Sequence, residues 1–203
     1  MSIILAIDAA GIAFAVALVV DGEPVREIVG DVPRDHSRSL LPAIDDLMRA
    51  APGAIGGIAV ISGPGSFSGI RVGLAVAGGL GLARALPIVG VGTLQAVGAV
   101  AGAGSWLAIH PAGRGTFAVQ PYLDGLPAGP LRTAAEADLP GQPIAGERAA
   151  ALGGREVSAG ERCRMAASLA LPRFASAGSA QPTALYLREP NITAPRARQV
   201  ATS

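Results

Sequence analysis

A glycine-rich segment holds the densest group of residues that could do chemistry. Residues 63–73 read GPGSFSGIRVG and follow a short apolar run at residues 58–61. A glycine-rich turn that opens a helix can bind an anion through its free backbone amides. The segment lacks the Gly-Lys-Ser/Thr of a phosphate-binding loop and the GxGxxG spacing of a dinucleotide site. Anion binding and a purely geometric role for these glycines therefore both stay open.

Nucleophilic catalysis has weaker support. Ser66 or Ser68 could be activated by His36 and Asp35 in the manner of a Ser–His–acid triad. Serines in a glycine-rich turn usually cap backbone groups, however, and nothing in the sequence orients a base. The sequence therefore predicts no catalytic residue.

Metal and thiol chemistry are also not expected. His36 and His110 are the only histidines, and Cys163 is the only cysteine. A metal site and an intramolecular disulfide are therefore not predicted. The adjacent Arg162 and Arg164 could lower the pKa of Cys163, but we expect a cysteine without a chemical role. We expect His36 to bond near a helix start and His110 to be exposed at a strand end, and we predict no cofactor.

Composition excludes further classes of function. Half of the 203 residues are hydrophobic, so a sizeable core is possible without disulfides. Lysine is absent, which excludes a lysine Schiff base. The net charge of +1 does not provide the dense basic face of a nucleic-acid-binding protein.

The elements that must position these residues alternate between strands and helices. Strands are predicted at residues 3–7, 13–20, 24–29, 58–61 and 88–91, and helices at about 37–50, at 70–85 and after Thr93. Either Asp35 or Ser37 could cap the first helix. This order predicts an α/β fold. Residues 3–20 are apolar enough to resemble a membrane segment, but Asp8 interrupts them, and we expect two buried strands of a cytoplasmic protein.

The second half is less regular. Strands are predicted at residues 106–109 and 116–120, and a helix at 161–171. Residues 124–146 are rich in Pro and Gly, which is typical of a surface loop. Residues 185–188 are expected to be a last ordered segment before a frayed tail from about Thr193.

The whole glycine-rich segment resembles the GPGSFTG(V/I)R(I/V)G signature of the TsaB (YeaZ-like) family, with Ser68 in place of the usual threonine. Further segments match that family in order. They are residues 4–8 (ILAID), His36-Ser37 with Leu40, Leu41, Pro42 and Ile44, residues 89–91 with Leu94, residues 113–115 (GRG), and residues 185–188 (LYLR). The family's opening Asp-Thr-Ser is here Asp8-Ala9-Ala10, so a hydroxyl that could meet a phosphate is missing.

The resemblance implies a fold and a domain organisation. The expected fold is that of actin, sugar kinases and heat-shock chaperones, with two lobes of mixed sheet flanked by helices. We expect residues 1–101 to form the N-terminal lobe and residues 102–203 the smaller C-terminal lobe. In the paralogous TsaD subunit a His-x-x-x-His metal pair stands where this chain has Thr93 and Val97, neither of which is a usual metal ligand.

The resemblance also implies a function without catalysis. It points to a scaffold or dimerization subunit in the biosynthesis of N6-threonylcarbamoyladenosine on tRNA. The implied partners are a TsaD-like catalytic subunit and a TsaE-like ATPase, with a homodimer when the chain is alone and tRNA contacted only through the complex. The alternative is a stand-alone ATP-dependent transferase or a peptidase-like hydrolase of the same superfamily.

The expected partner surface lies on the two helices of the first half, which form an intersubunit bundle in the family. The small residues Gly73, Ala77 and Gly81 are spaced by four and could allow close approach of a partner helix. We therefore expect added bulk at Gly73 and Ala77 to block assembly while the monomer stays folded. The full predicted interface is Leu40, Leu41, Ile44, Leu47, Met48, Ile70, Arg71, Gly73, Leu74, Ala77 and Gly81, next to the turn Gly63, Pro64, Gly65, Ser66, Phe67, Ser68 and Gly69.

Overall fold

The fold consists of two sheets with helices packed against them. The computed structural model describes residues 1–31, 36–139, 143–176 and 182–187, without the side chains of residues 31 and 36–38. Its elements are β1 Ile3–Asp8, β2 Ala13–Val20, β3 Glu23–Asp31, α1 His36–Arg49, β4 Gly57–Gly63, α2 Phe67–Arg84, β5 Ile88–Gly92, α3 Thr93–Ala101, β6 Ser105–Gly113, β7 Thr116–Leu123, β8 Leu126–Pro127, β9 Arg132–Ala135, β10 Ile144–Gly146, β11 Arg155–Glu156 and α4 Ala159–Ala170. The predicted element order of the first hundred residues is confirmed.

The first sheet has the strand order β3-β2-β1-β4-β5. β1 pairs antiparallel with β2, with Ile3 opposite Val20, and parallel with β4, with Ile4 opposite Gly57. Every residue of β1 and β4 is buried, because helices cover both faces of the sheet. The apolar run at residues 3–20 is therefore the centre of a sheet. No helix in the described ranges is long and apolar enough to cross a membrane.

The two faces of the first sheet are covered by different parts of the chain. α1 and α2 pack on one face, where Leu40, Ile44 and Leu47 meet Leu5 and Ile7. α4 packs on the other face through small residues at positions 159, 163, 166, 167 and 170. Small side chains let this helix lie close to the sheet, which keeps the core dense without aromatic residues.

The second sheet has the order β11-β10-β6-β7-β8, with β9 also paired to β7. α3 covers one face of this sheet, where Leu94 and Val97 pack against Ala108, Ala118 and Tyr122. α3 follows directly from the first sheet, whereas α4 returns from the second half to pack on the first sheet. The helices thus connect the two halves, and the lobe boundary at residue 101 stays a prediction.

The structure corrects three local predictions. Residues 124–146 are not a plain loop, since they contain β8, β9 and β10, and β10 is a buried strand paired on both sides. α2 begins at Phe67 rather than near Ile70. α4 begins at Ala159 because Ser158 and Glu161 form a reciprocal capping box.

Some predicted features fall beyond the described part of the chain. Asp35, Arg188 and the tail from Thr193 lie outside the described residues, as do the side chains of His36 and Ser37. Residues 182–187 are described as extended chain, and the Leu185 amide donates to the Ser62 carbonyl over 2.8 Å.

Candidate functional site

The glycine-rich turn is bonded to the loop between β1 and β2. The Ser66 amide donates to the Ala10 carbonyl over 2.7 Å. The Ser66 hydroxyl caps α2 by accepting from the Gly69 amide at 3.2 Å. The Ser68 hydroxyl lies 3.4 Å from the Ser66 hydroxyl. Ser66 therefore acts as a backbone cap of α2.

Close backbone contact accounts for two glycines of this turn. A Cβ atom at Gly69 would lie 1.9 Å from the Ala9 carbonyl oxygen, and one at Gly65 would lie 2.4 Å from the Ala10 oxygen. No side chain fits at such distances. Of the two interpretations left open by the sequence, the geometric role of the glycines is the one that these contacts support.

A buried group of titratable residues lies at the junction of the two sheets, and we call it the junction cluster: Asp8, His110, Glu147 and Arg162. Asp8 ends β1, His110 is in β6, Glu147 follows β10, and Arg162 is in α4. All four side chains are buried. The junction cluster therefore joins the two sheets through polar contacts rather than apolar packing.

Arg162 connects the two carboxylates of the junction cluster. Its Nε donates to Asp8 Oδ2 over 2.8 Å, and its Nη2 lies 3.1 Å from Glu147 Oε2 as an ion pair without good hydrogen-bond alignment. Its Nη1 donates to the Val157 carbonyl over 3.1 Å. Burial alone would lower the pKa of Arg162, but Asp8 and Glu147 outweigh burial and raise it above its usual value. The guanidinium thus stays charged between two carboxylates.

The carboxylates also hold the backbone of the β1–β2 loop. Asp8 Oδ1 accepts from the Ala10 amide over 2.8 Å. Glu147 Oε1 accepts from the Ile12 amide over 3.2 Å. Both oxygens of Asp8 are therefore occupied within the chain, which leaves this carboxylate poorly placed to bind a nucleotide or a metal ion.

His110 is buried, contrary to the expectation of an exposed strand end. Only 1% of it is exposed, because its ring reaches across to the β1–β2 loop. Its Nε2 lies 3.1 Å from the Ala10 carbonyl oxygen, so Nε2 carries the proton and Nδ1 is left without a partner. Burial and the nearby Arg162 lower the pKa of His110 to about 4.

The remaining candidate residues are not arranged for chemistry. Cys163 is buried in α4, and burial raises the pKa of its thiol well above the ordinary value. Such a thiol is unreactive. Within the described residues, no group of three or more histidine, cysteine or acidic side chains could hold a metal ion.

Most of the predicted partner surface is used within the chain. Gly81 has no space for a side chain beside Ile88, and Gly73 faces Ala9, Val60 and Ile7. Added bulk at Gly73 or Ala77 would therefore disturb the monomer core, which corrects the expected effect of these substitutions. The buried members are Leu40, Ile44, Leu47, Ile70, Gly73, Ala77 and Gly81, the half-buried ones are Met48 and Leu74, and the exposed ones are Leu41 and Arg71.

A second row of small residues lies on the outer face of α2, and we call it the outer row: Ala75, Gly79 and Ala83. All three are exposed, and a Cβ atom at Gly79 would meet nothing within 4 Å. Leu82, beside this row in sequence, is 86% exposed. At the start of the same helix, Phe67 packs against Tyr186 with ring centroids 4.8 Å apart, and Arg71 lies over the Phe67 ring.

Sequence reasoning missed the structural role of Arg162 and Glu147. Arg162 was considered only as a neighbour of Cys163, although it shares a helix face with Ala159 and Ala166. An arginine on an apolar helix face needs a buried acidic partner, and this was the available signal. Glu147 carried no such signal, because only the three-dimensional fold brings it to Arg162.

Comparisons with known proteins agree with the motifs. The family model "TsaD: tRNA N6-adenosine threonylcarbamoyltransferase" matches residues 28–120. The tRNA threonylcarbamoyladenosine biosynthesis protein TsaB of Escherichia coli is 40% identical over 95 residues, which is 45% of this chain and 41% of that protein. The TsaB protein of Bacillus subtilis is 31% identical over 99 residues, 47% of this chain and 43% of that protein. The chain thus spans about two fifths of the length of these curated relatives.

A solved structure shows the likeness over the whole fold. The crystal structure of a Pseudomonas aeruginosa protein with similarity to peptidase YEAZ superposes with a TM-score of 0.75 at 25% identity. The match covers 93% of this chain and 100% of that one. The fold is therefore an α/β fold of two mixed sheets flanked by helices, as the sequence predicted, and the chain is similar to TsaB (YeaZ-like) proteins in sequence and in fold.

Proposed function

We propose that this chain is a non-catalytic scaffold subunit in the biosynthesis of N6-threonylcarbamoyladenosine on tRNA, where it binds and supports a TsaD-like catalytic subunit. The names of the TsaB relatives and the match to the TsaD family model support this assignment. The observation that carries it is the junction cluster. At the place where the resemblance puts a nucleotide-binding loop, Asp8 is already paired with Arg162.

The proposed partner surface is the outer face of α2 with the adjoining part of α1. Small residues of the outer row would let a partner helix approach α2 closely. Leu82 of α2 and Leu41 of α1, which are 86% and 51% exposed, would supply apolar area to this surface. Arg71 and Phe67 extend the same face toward the start of α2. This choice keeps the helices predicted from the sequence but replaces the row Gly73, Ala77 and Gly81.

The assembly has further proposed features. We infer that the same helical face supports a homodimer when the catalytic subunit is absent. A TsaE-like ATPase joins the complex, tRNA is contacted only through the complex, and the chain works in the cytoplasm. A hydrolase or a stand-alone ATP-dependent transferase is not favoured by any contact among the described residues.

Added bulk on the outer row tests the surface. Gly79→Leu and Ala83→Leu place a large side chain where the monomer has open space, so both variants should fold normally. Both should lose co-purification with the TsaD-like subunit of the same organism. Ser168→Leu, on the exposed side of α4, is the matched control and should still assemble. If both outer-row variants still co-purify with the TsaD-like subunit, the outer face of α2 is not the partner surface.

Calorimetry tests the absence of catalysis. Titration of the isolated protein with Mg-ATP should give no binding heat at micromolar nucleotide, because the Asp8 carboxylate is occupied by Arg162 and the Ala10 amide. Micromolar binding together with turnover would support the transferase alternative instead.

A further inference from the structure

The junction cluster has a consequence for how the two halves move. Arg162 belongs to α4, which packs on the first sheet, and it contacts one carboxylate from each half. Asp8 comes from the end of β1 in the first sheet, and Glu147 directly follows β10 in the second. In the described structure this arginine is thus the buried cation shared by both halves.

The neighbouring contacts tie the same loop from both sides. Asp8 bonds the Ala10 amide from the first half, while Glu147 bonds the Ile12 amide and His110 contacts the Ala10 carbonyl from the second half. A Cβ atom at Gly11 would lie 2.0 Å from Glu147 Oε2, so the second half is pressed against this loop. Without a cation between them, Asp8 and Glu147 would be two buried carboxylates that repel each other.

We infer that Arg162 is a built-in counter-ion that holds the two halves of the fold closed on the β1–β2 loop without any bound ligand. The guanidinium neutralises one carboxylate from each half and so makes opening costly, because opening would leave charges unpaired at a junction that is shielded from water. The chain would then present its outer helices as one rigid body, whether or not a small molecule is present. This inference concerns the isolated chain and stands independently of the proposed partner.

Hydrogen exchange followed by mass spectrometry on the full chain tests the inference. Glu147→Gln removes one charge and keeps the side-chain size and the oxygen that accepts from Ile12. Arg162→Met removes the shared cation. Arg164→Met is the matched control, since Arg164 lies in the same helix and, among the described residues, forms its ion pair with Glu27 of the first sheet.

We expect two segments, one from each half of the fold, to lose protection against hydrogen exchange together. In Glu147→Gln, amides of residues 9–12 and 144–147 should both exchange faster, on the order of tenfold or more, while amides of strand β2, between β3 and β1, keep the wild-type rate. Arg162→Met should lose more protection than Glu147→Gln in both segments and should also lose some in β2, because its unfolding free energy is lower. Arg164→Met should leave both segments unchanged.

Three outcomes would overturn the inference. In the first, Glu147→Gln leaves both segments protected as in the wild type. In the second, exchange rises in only one of the two segments. In the third, Glu147→Gln loses protection in β2 to the same extent as in the two segments, because Glu147 would then support the whole fold rather than the junction. If Arg162→Met does not fold, Glu147→Gln alone decides among these outcomes.

Discussion

The junction cluster and the outer face of α2 use opposite kinds of residues in opposite surroundings. At the junction, charged side chains are buried and satisfy one another, with Arg162 between Asp8 and Glu147. On the outer face of α2, apolar and small residues are exposed, with Leu82 as the extreme case. Each region breaks the usual rule that apolar residues lie inside and charged ones outside.

The difference between these regions separates a structural role from an interaction role. Buried charges that are paired with one another stabilise one arrangement of the fold and leave both oxygens of Asp8 occupied. Exposed apolar residues gain free energy only when another surface covers them. The junction cluster is therefore an internal contact of the fold, whereas the outer face of α2 is the surface that we propose for binding a partner.

The largest expected effect comes from breaking the ion pairs at the junction. Arg162→Met should lower the free energy of unfolding by about 3–5 kcal/mol, because it leaves two carboxylates buried without a cation. Urea denaturation of the isolated chain measures this change. Arg49→Met removes an exposed pair with Asp45 in α1 and should cost at most about 0.5 kcal/mol. An equal loss of unfolding free energy in the two variants would contradict the proposed difference between buried ion pairs at the junction and exposed ion pairs at the surface.

A pH-dependent effect of similar origin is expected for His110. Its pKa is about 4 in the folded chain and 6.5 as the ordinary value, so between these values the unfolded chain binds a proton that the folded chain does not. The contribution of neutral His110 to the free energy of unfolding is therefore fully present above pH 6.5. It is lost as the pH falls toward 4, because the unfolded chain then gains a proton that the folded chain does not bind. His110→Gln keeps a donor to the Ala10 carbonyl and removes this titration.

Urea titrations of both proteins across this pH range measure the effect. The difference in unfolding free energy between wild type and His110→Gln should change by roughly 3 kcal/mol in favour of the variant as the pH falls. Carboxylates that titrate in both proteins change both unfolding free energies alike, so their effect is removed when one value is subtracted from the other. A constant difference across the range would show that His110 titrates alike in the folded and unfolded chain.

The smallest expected effect distinguishes the two ends of α2. Gly79→Ala should stabilise the isolated chain by about 0.5–1 kcal/mol, because the position is helical and its side-chain space is open. Gly69→Ala should destabilise it by at least about 1 kcal/mol, because its Cβ would meet the Ala9 carbonyl. Thermal unfolding of both variants measures the opposite signs, and a shared sign would contradict the description of either the turn or the outer face.

Much of the first half could be predicted from local patterns. β-branched runs marked β1, β2, β4 and β5, and apolar spacing marked α1. β10 was missed because it has only three residues, Ile144 to Gly146, and its burial comes from neighbouring strands rather than from any pattern of its own. His110 was misjudged for a related reason, since nothing in a strand sequence shows that another loop will cover its end.

The sequence determined that α2 carries two rows of small residues, and also the order of strands and helices, because propensity and periodicity are local properties. The tertiary structure decided which row is buried: Gly73, Ala77 and Gly81 face the sheet, while Ala75, Gly79 and Ala83 face outward. It also brought Glu147 and Arg162 to Asp8. The physical reason is that charge pairing and burial depend on distance in space, and residues more than a hundred positions apart become neighbours only when the chain folds.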